Sequence, residues 1–292
     1  MNKTCRISGG LDGMVEMTDS VLGQTKRIVV KVGTSTLTHR TGMLNIRRVE
    51  QLVKVLADLK NSGREIVLVT SGAIGVGAGK LSLPGRPEDM PTKQACAAVG
   101  QSELMYIYDK YFAEYNHGVA QVLLTRDIIE DETRKRHVVN TLGRLLELSV
   151  IPVINENDTV SVEEIEFGDN DTLSAIVARL VSADLLVILS DIDGLYDGNP
   201  KENPDAHLIP EVCELSDTIL ALGGGKGSEF GTGGMMAKLN AAAIAMEADI
   251  PMVILNGDDP GHLYDLLDGR QVGTLFHNPS GAGKRGNTSC HI

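Results

Sequence analysis

The chain has 292 residues, of which 42% are hydrophobic, enough apolar material for one large α/β domain. Its 27 Lys and Arg against 39 Asp and Glu give a net charge of −12, which disfavours nucleic-acid binding because that function needs a basic face. No run reaches the roughly 18 apolar residues of a membrane span, and the four scattered cysteines lack the CxxC spacing of a common zinc framework and are typical of reduced, cytoplasmic thiols.

Six short, β-branched apolar runs predict strands that are buried on both faces. They cover residues 27–33, 65–72, 118–125, 150–156, 183–191 and 250–257. Helical patterns cover residues 46–60, 92–115, 134–148, 171–182 and 234–248. This alternation predicts an α/β fold, a three-layer α-β-α sandwich around a mainly parallel open sheet.

The two ends of the chain differ in composition from the part between them. Residues 1–26 and 278–292 are polar, contain Gly and Ser, and show no strand or helix periodicity. Such segments do not bury enough apolar surface to repay the entropy of ordering. We therefore predict a flexible leader at 1–26, one domain at 27–277 and a disordered tail at 278–292.

The carboxyl ends of parallel strands are where ligands bind, so the residues there are candidates for function. Lys31 lies within the first apolar strand, where a cation without a partner is costly to bury. Either it extends to solvent at the strand end, or it faces a phosphate bound over Gly33. Ser71 follows the second strand and precedes small residues whose amides suit an anion, although ordinary strand-to-helix turns share this pattern.

Two clusters of Asn and Asp lie at the predicted mouth of the sheet. One, which includes Asp158, ends the fourth strand, and the other, which includes Asn170 and Asp171, opens an apolar helix. Asn170 or Asp171 as a helix N-cap is the simpler interpretation. Because one cap does not need two clusters, we favour convergent amides and carboxylates that hold an ammonium group and orient a lysine.

A Gly-rich segment precedes the helix predicted at 234–248. Amides and the dipole at a helix N-terminus favour phosphate, and Lys238 lies about one turn into this helix. A mobile surface loop with a solvated lysine is the alternative. The fifth strand ends at Ser190 and Asp191 in a DxDG sequence that does not continue as a calcium loop, so it predicts only a turn.

Six motifs together resemble the glutamate 5-kinases, a branch of the amino-acid kinase family, over residues 27–277. They are KVGTSTL, VTSGAIGVG, PVINENDTV, FGDNDTLSA, LSDIDGLY and GTGGMMAKL, in the order and spacing of that family. The resemblance implies transfer of phosphate from Mg²⁺-ATP to the γ-carboxylate of L-glutamate, the first step of proline biosynthesis. It also implies a cytoplasmic homo-oligomer with proline as a feedback inhibitor, bound at or near the glutamate site. The PUA domain of many bacterial members is not expected, since the chain ends shortly after Phe276.

The same resemblance implies roles for individual residues. Catalytic roles fall to Lys31, Lys238 and Asp171, and glutamate binding to Ser71, Asp158 and Asn170. ATP binding falls to the two lysines and to Ser190, Asp191, Thr232, Gly233, Gly234, Met235, Met236 and Ala237. Ser190 stands where the family usually has Thr, a change that keeps the hydroxyl. Magnesium is expected mainly on phosphates and waters, with no dedicated protein metal site.

Two other functions remain open at this stage. One is a different amino-acid kinase, acting on N-acetylglutamate or carbamate, and the other is a non-catalytic sensor of an amino acid or nucleotide. The NEND and GDND motifs disfavour the first, and retention of both Lys31 and Lys238 disfavours the second. All seven histidines lie outside the motifs, which suits a carboxylate acceptor that is already ionised and needs no general base.

Overall fold

The computed structural model describes Leu22 and residues 25–279, except residues 40, 42, 86, 126–128, 161–169, 201 and 225–233. Its strands are β1 (Arg27–Val32), β2 (Glu65–Val69), β3 (Val119–Leu124), β4 (Ile151–Glu156), β5 (Leu185–Ser190), β6 (Glu211–Val212), β7 (Met252–Asn256) and β8 (Thr274–Phe276). Its helices are α1 (Thr34–Leu37), α2 (Ile46–Asn61), α3 (Ala73–Lys80), α4 (Met90–Glu114), α5 (Glu132–Glu147), α6 (Asn170–Leu180), α7 (Asp217–Leu222), α8 (Gly234–Glu247) and α9 (His262–Leu267).

The strands form one sheet in the order β3-β4-β2-β1-β5-β7-β8-β6. Every pair is parallel except β7 with β8, so the prediction of a mainly parallel open sheet is confirmed. The six predicted strands are β1 to β5 and β7. The short strands β6 and β8, of two and three residues at one side of the sheet, were not predicted because runs this short carry little periodicity.

Alternate side chains of the central strands enter two separate cores, one on each face of the sheet. In β1, Ile28 and Val30 pack into a core with α2 and α4, whereas Val29 packs into a core with α6 and α8. A strand in a sheet covered on both faces has no solvated side, so its sequence is apolar without alternation. The three-layer α-β-α prediction is therefore confirmed.

The connections place β1 at the centre of the sheet. The chain moves from β1 to β2 on one side and later returns to β5 on the other. The carboxyl end of β1 is thus a topological switch point, where diverging connections leave a crevice. This is the end at which Lys31 lies.

N-capping side chains explain why two helices begin earlier than predicted. The Asp89 carboxylate accepts a hydrogen bond from Thr92 N at 2.9 Å, and that of Asp131 accepts one from Arg134 N at 2.8 Å. Each cap satisfies an amide that has no partner within its own helix. Consequently α4 starts at Met90 rather than residue 92, and α5 at Glu132 rather than residue 134. No described helix is both long and apolar enough to cross a membrane.

Glycines allow α3 and α4 to pack at backbone contact distance. A Cβ on Gly77 would lie 1.8 Å from Cys96 O, and a Cβ on Gly100 would lie 1.8 Å from Ala73 O. Any larger residue would force the helices apart. Gly77, one of the small residues after Ser71, therefore serves helix packing, a role that the sequence analysis did not consider.

Leu22 belongs to the same core as α2 and is 0% exposed. The part of the chain that packs therefore begins before the predicted boundary at residue 26, while residues 1–21 and 280–292 lie outside the described residues. We expect Leu22→Ala to lower the free energy of unfolding by about 2–5 kcal/mol, the usual range for a buried leucine. Leu148→Ala, at a position 57% exposed, should cost less than about 0.5 kcal/mol. Urea unfolding of both variants measures this, and equal small losses would show that Leu22 does not dock.

Candidate active site

Three charged side chains from three elements meet at the carboxyl edge of the sheet. Lys31 Nζ of β1 lies 2.5 Å from Asp171 Oδ1, and Lys238 Nζ of α8 lies 3.0 Å from Asp171 Oδ2. All three residues are buried, with relative exposures of 7%, 3% and 8% for Lys31, Asp171 and Lys238. The carboxylate therefore bridges two ammonium groups.

Burial and charge act in opposite directions on Asp171. Burial raises the pKa of its carboxyl, but the charges of Lys31 and Lys238 and the hydrogen bonds they donate outweigh this and lower the pKa below its usual value. Asp171 also lies in the first turn of α6, where the helix dipole favours a negative charge. It stays ionised at neutral pH, and one negative charge beside two positive ones leaves the cluster with a net positive charge.

Both lysines keep donors for a further ligand. An ammonium group has three N–H donors, and Lys238 uses one on Asp171 and one on the Gly234 carbonyl, at 3.2 Å. A Cβ on Gly33 would lie 3.7 Å from Lys31 Nζ, in van der Waals contact, so the glycine keeps that side of the ammonium group free of a side chain. Two cations held side by side at the end of a parallel sheet suit an anion such as phosphate.

A chain of amide hydrogen bonds lies beside this cluster. Asn170 Nδ2 lies within hydrogen-bond distance of three acceptors, Thr70 O at 3.0 Å, Ser71 Oγ at 2.9 Å and Asn155 Oδ1 at 3.0 Å, which share its two N–H donors. Asn155 Nδ2 in turn donates to Gln101 Oε1 at 2.8 Å. Because a main-chain carbonyl only accepts, Thr70 O sets the orientation of Asn170, and the other two amides follow from it.

Among the described residues, this orientation leaves two buried polar atoms of the amide chain without a hydrogen-bond partner. Asn170 Oδ1 is an acceptor and Gln101 Nε2 is a donor. Unpaired buried polar groups are rare because each costs about 1–3 kcal/mol. Asn170 Oδ1, next to Ser71 and one residue from Asp171, is suited to accept a hydrogen bond from a ligand N–H group.

The other predicted glutamate-binding residue is less enclosed. Asp158 lies partly buried in the turn that follows β4, at the same sheet edge as Asn155. The turn is closed by a hydrogen bond from Val160 N to Asn157 O at 3.1 Å. The structure thus brings Ser71 and Asn170 into direct contact and adds the Asp158 carboxylate at the same edge.

The predicted ATP-binding residues fall into two groups. Ser190 ends β5, beside β1, and its hydroxyl donates to the Asp191 carboxylate at 3.2 Å. Asp191 is exposed, as expected for a group that meets a ligand from solvent. In the second group, Gly234, Met235, Met236 and Ala237 form the first turn of α8 ahead of Lys238. Thr232 and Gly233 lie outside the described residues.

Sequence reasoning did not consider Gln101, and it included Asn155 only as a member of the Asn and Asp cluster that ends the fourth strand, without a role of its own. Gln101 lies on the buried stripe of α4 with Ala97 and Leu104, at spacings of four and three residues. Helix periodicity could have identified Gln101, because it is a polar residue on an otherwise apolar helix face. Asn155 is likewise a polar residue at the buried end of a strand, 1% exposed. Their contact joins positions 54 apart in the chain, which no local pattern indicates.

Fold and site together define an α/β protein with two buried lysines, joined by one carboxylate, at the switch point of a mainly parallel sheet. The sequence model of the Amino acid kinase family matches residues 26–256, and the chain belongs to this family. It is 55% identical over 259 residues to the glutamate 5-kinase of Listeria innocua, with 87% of this chain and 94% of that protein covered. It is 54% identical to the glutamate 5-kinase of Clostridium perfringens, with 87% and 96% covered.

Solved structures confirm the amino-acid kinase type of fold. Carbamate kinase from Giardia lamblia, bound to AMP-PNP, superimposes with a TM-score of 0.63 at 19% identity, with 88% of this chain and 99% of that chain covered. An isopentenyl phosphate kinase from T. acidophilum, in a product complex, gives a TM-score of 0.60 at 19% identity, with 86% and 99% covered. At these sequence identities the solved structures show the fold alone. The substrate is inferred from the site and from the more similar sequence relatives.

Proposed function

We infer that this protein is an enzyme that transfers the γ-phosphoryl group of ATP to the γ-carboxylate of L-glutamate, forming γ-glutamyl phosphate and ADP. This is the first step of proline biosynthesis. The observation that carries the inference is the pair of lysines on Asp171, next in the chain to the Asn170 amide that contacts Ser71. Relatives named glutamate 5-kinase, 51–55% identical, support the same reaction.

The chemistry needs positioning and charge more than proton transfer. The acceptor carboxylate is ionised at neutral pH, so its oxygen attacks phosphorus without a base, and the bond from phosphorus to the leaving ADP oxygen breaks. Two anions must approach each other for this to happen. Lys31 and Lys238 offset that repulsion, and Asp171 holds both ammonium groups in place before substrate arrives.

Glutamate binding is assigned to Ser71, Asn170 and Asp158. Asn170 Oδ1 has no partner within the described structure and would accept a hydrogen bond from the α-ammonium group. The Asp158 carboxylate supplies the compensating charge that a partly desolvated ammonium requires. Ser71 Oγ, already 2.9 Å from Asn170 Nδ2, is placed to bind a substrate oxygen.

ATP would lie over the end of β5 and the start of α8, where Ser190, Asp191 and the segment from Thr232 to Lys238 are assigned to it. Mg²⁺ would supply further charge neutralisation on the phosphates. Both oxygens of Asp171 face lysines, so this carboxylate is committed to orienting them, and the phosphates and water are left as the main magnesium ligands.

Three further properties belong to this proposal. The protein acts in the cytoplasm, it assembles as a homo-oligomer, and proline inhibits it by binding at or near the glutamate site. Among the described residues Cys96 and Cys213 form no disulfide, which fits the first of these properties. The other two rest on the family resemblance, and light scattering and proline titration of the initial rate test them.

One experiment separates this function from its alternatives. The protein is incubated with Mg²⁺-ATP and each of L-glutamate, N-acetylglutamate and carbamate, and acyl phosphate is trapped with hydroxylamine while ADP is measured. Hydroxamate and ADP in equal amounts with glutamate support the proposal. Product only with another acceptor would assign a different kinase, and ligand binding without any ADP would assign a sensor.

Gln101 is expected to act on glutamate binding through Asn155 and Asn170. Gln101→Leu removes the acceptor of Asn155 Nδ2 and leaves that donor buried without a partner, a loss of about 1–3 kcal/mol. We expect the glutamate KM to rise about tenfold or more, with little change in kcat. Gln121→Leu, at an exposed position of β3, is the matched control. An unchanged KM in a folded Gln101→Leu protein would show that the amide chain does not support substrate binding.

A further inference from the structure

A second cluster of reactive side chains lies at the ends of the short strands β6 and β8, which lie at one side of the sheet. His277 Nε2 is 2.6 Å from Glu211 Oε1 and 3.8 Å from Cys213 Sγ. Cys213 Sγ is 3.6 Å from Glu211 Oε1. His277 is 7% exposed, whereas Glu211 and Cys213 are partly buried, so solvent reaches one side of the cluster.

Within the described residues, this is the one group of three His, Cys, Asp or Glu ligand atoms that converges within 4.8 Å. It combines three kinds of ligand that zinc accepts: thiolate, imidazole and carboxylate. In a tetrahedral site with ordinary bond lengths, sulfur would lie about 3.5–3.6 Å from the nitrogen and the oxygen. The measured 3.8 and 3.6 Å are close to these values.

The distance between His277 and Glu211 is the one that differs from a tetrahedral zinc site. His277 Nε2 and Glu211 Oε1 lie 2.6 Å apart, at hydrogen-bond distance, whereas about 3.4 Å is needed when both bind one metal ion. An ion entering between them would replace the shared proton and separate the two atoms by less than about 1 Å. The Glu211 side chain is 25% exposed, so a small rotation of it allows this separation.

We propose that Cys213, His277 and Glu211 form a Zn²⁺ site, with water as the fourth ligand on the exposed side. On binding, the Cys213 thiol gives its proton to solvent, and neutral His277 moves its single proton from Nε2 to Nδ1. One Zn²⁺ thus releases one proton. The thiolate and the carboxylate carry two negative charges that balance the ion, so the loaded site is neutral.

The position of the cluster indicates what the ion would do. Because β8 runs antiparallel to β7, His277 follows the end of β8 that lies beside Met252, the first residue of β7. This is the sheet edge opposite the carboxyl end of β1. The ion would therefore join the two-residue strand β6 to β8 and stabilise the fold, and it would take no part in phosphoryl transfer.

The test uses the full-length protein, freed of metal by chelation, with Co²⁺ and Zn²⁺ as probes. One equivalent of Co²⁺ should produce the near-ultraviolet charge-transfer band of a cobalt–thiolate bond, and one equivalent of Zn²⁺ should abolish it and raise the Tm. Cys213→Ser should remove the band and weaken Zn²⁺ binding by about 100-fold or more, since even indirect partners of metal ligands cost about 10–100-fold. His277→Ala should also weaken binding.

A matched control and an activity assay make the result specific to this cluster. The double variant Cys290→Ser, His291→Ala changes the same residue types outside the cluster and should bind Co²⁺ and Zn²⁺ like the unchanged protein. Cys213→Ser should keep the kcat for glutamate. Absence of the band in a folded protein, or a band retained in Cys213→Ser, would overturn the proposal and leave the His277–Glu211 pair as a hydrogen bond alone.

Discussion

Free L-glutamate should be phosphorylated with a kcat/KM about 10⁴ times that of N-acetylglutamate. Asn170 Oδ1 and the Asp158 carboxylate offer acceptors and a negative charge to an ammonium group. An acetamide brings one N–H and no charge, so the acetylated substrate loses the attraction between an ammonium group and the Asp158 carboxylate. Sites built to bind a polar group reject analogues that lack it by about 10⁴–10⁵.

Steady-state kinetics with both acceptors, followed by ADP release, measures this selectivity. Asp158→Asn is the informative variant, because it keeps the shape of the side chain and removes its charge. It should lower kcat/KM for glutamate far more than for N-acetylglutamate and so reduce the selectivity. Equal turnover of the two acceptors by the unchanged protein would contradict the assignment of Asp158 and Asn170 to the α-ammonium group.

Replacing Lys238 by alanine should lower kcat by about 10²–10³ while changing the glutamate KM much less. Loss of one positioned charge at the transferring group usually costs about this much in rate. The charge matters most as negative charge develops on the leaving ADP oxygen, so the loss falls on the transition state. Asp171 keeps Lys31 at 2.5 Å, so the variant does not leave a buried carboxylate unpaired.

Two further variants make the Lys238 result specific. Asp158→Ala should raise the glutamate KM with a smaller effect on kcat, the reverse of Lys238→Ala. Lys80→Ala removes another ion-paired lysine, on the surface of α3, and should leave both parameters unchanged. If Lys238→Ala raised the glutamate KM and Asp158→Ala lowered kcat instead, the two roles would be exchanged.

Many of the residues at the carboxyl edge of the sheet could be predicted from local sequence. Continuous apolar runs indicated six buried strands, because a strand covered on both faces has no polar side to interrupt the pattern. Lys31 was identifiable for the same reason, since a cation within such a run is costly unless it has a partner. The Asn and Asp clusters were noticeable because these residues form strands poorly.

The partners of these residues, in contrast, were decided only by tertiary structure. Asp171 and Lys238 are 67 positions apart, and Asn155 and Gln101 are 54 apart, so sequence spacing holds no information about either contact. The resemblance implied a role for Asp171, and the fold shows how one carboxylate holds both lysines. Gln101 was not predicted, because its signal was a single polar residue on an apolar helix face.

The side of the sheet formed by β6 and β8 shows most clearly the difference between what local sequence predicts and what tertiary structure decides. The cysteines have no CxxC spacing, yet Cys213 meets His277 from 64 positions away through strands of two and three residues. What the chain determines locally is which segments are buried and where charged groups interrupt them, because burial and periodicity act between near neighbours. Which distant side chains meet is determined by strand order and by the antiparallel direction of β8, and these arise only when the whole sheet packs.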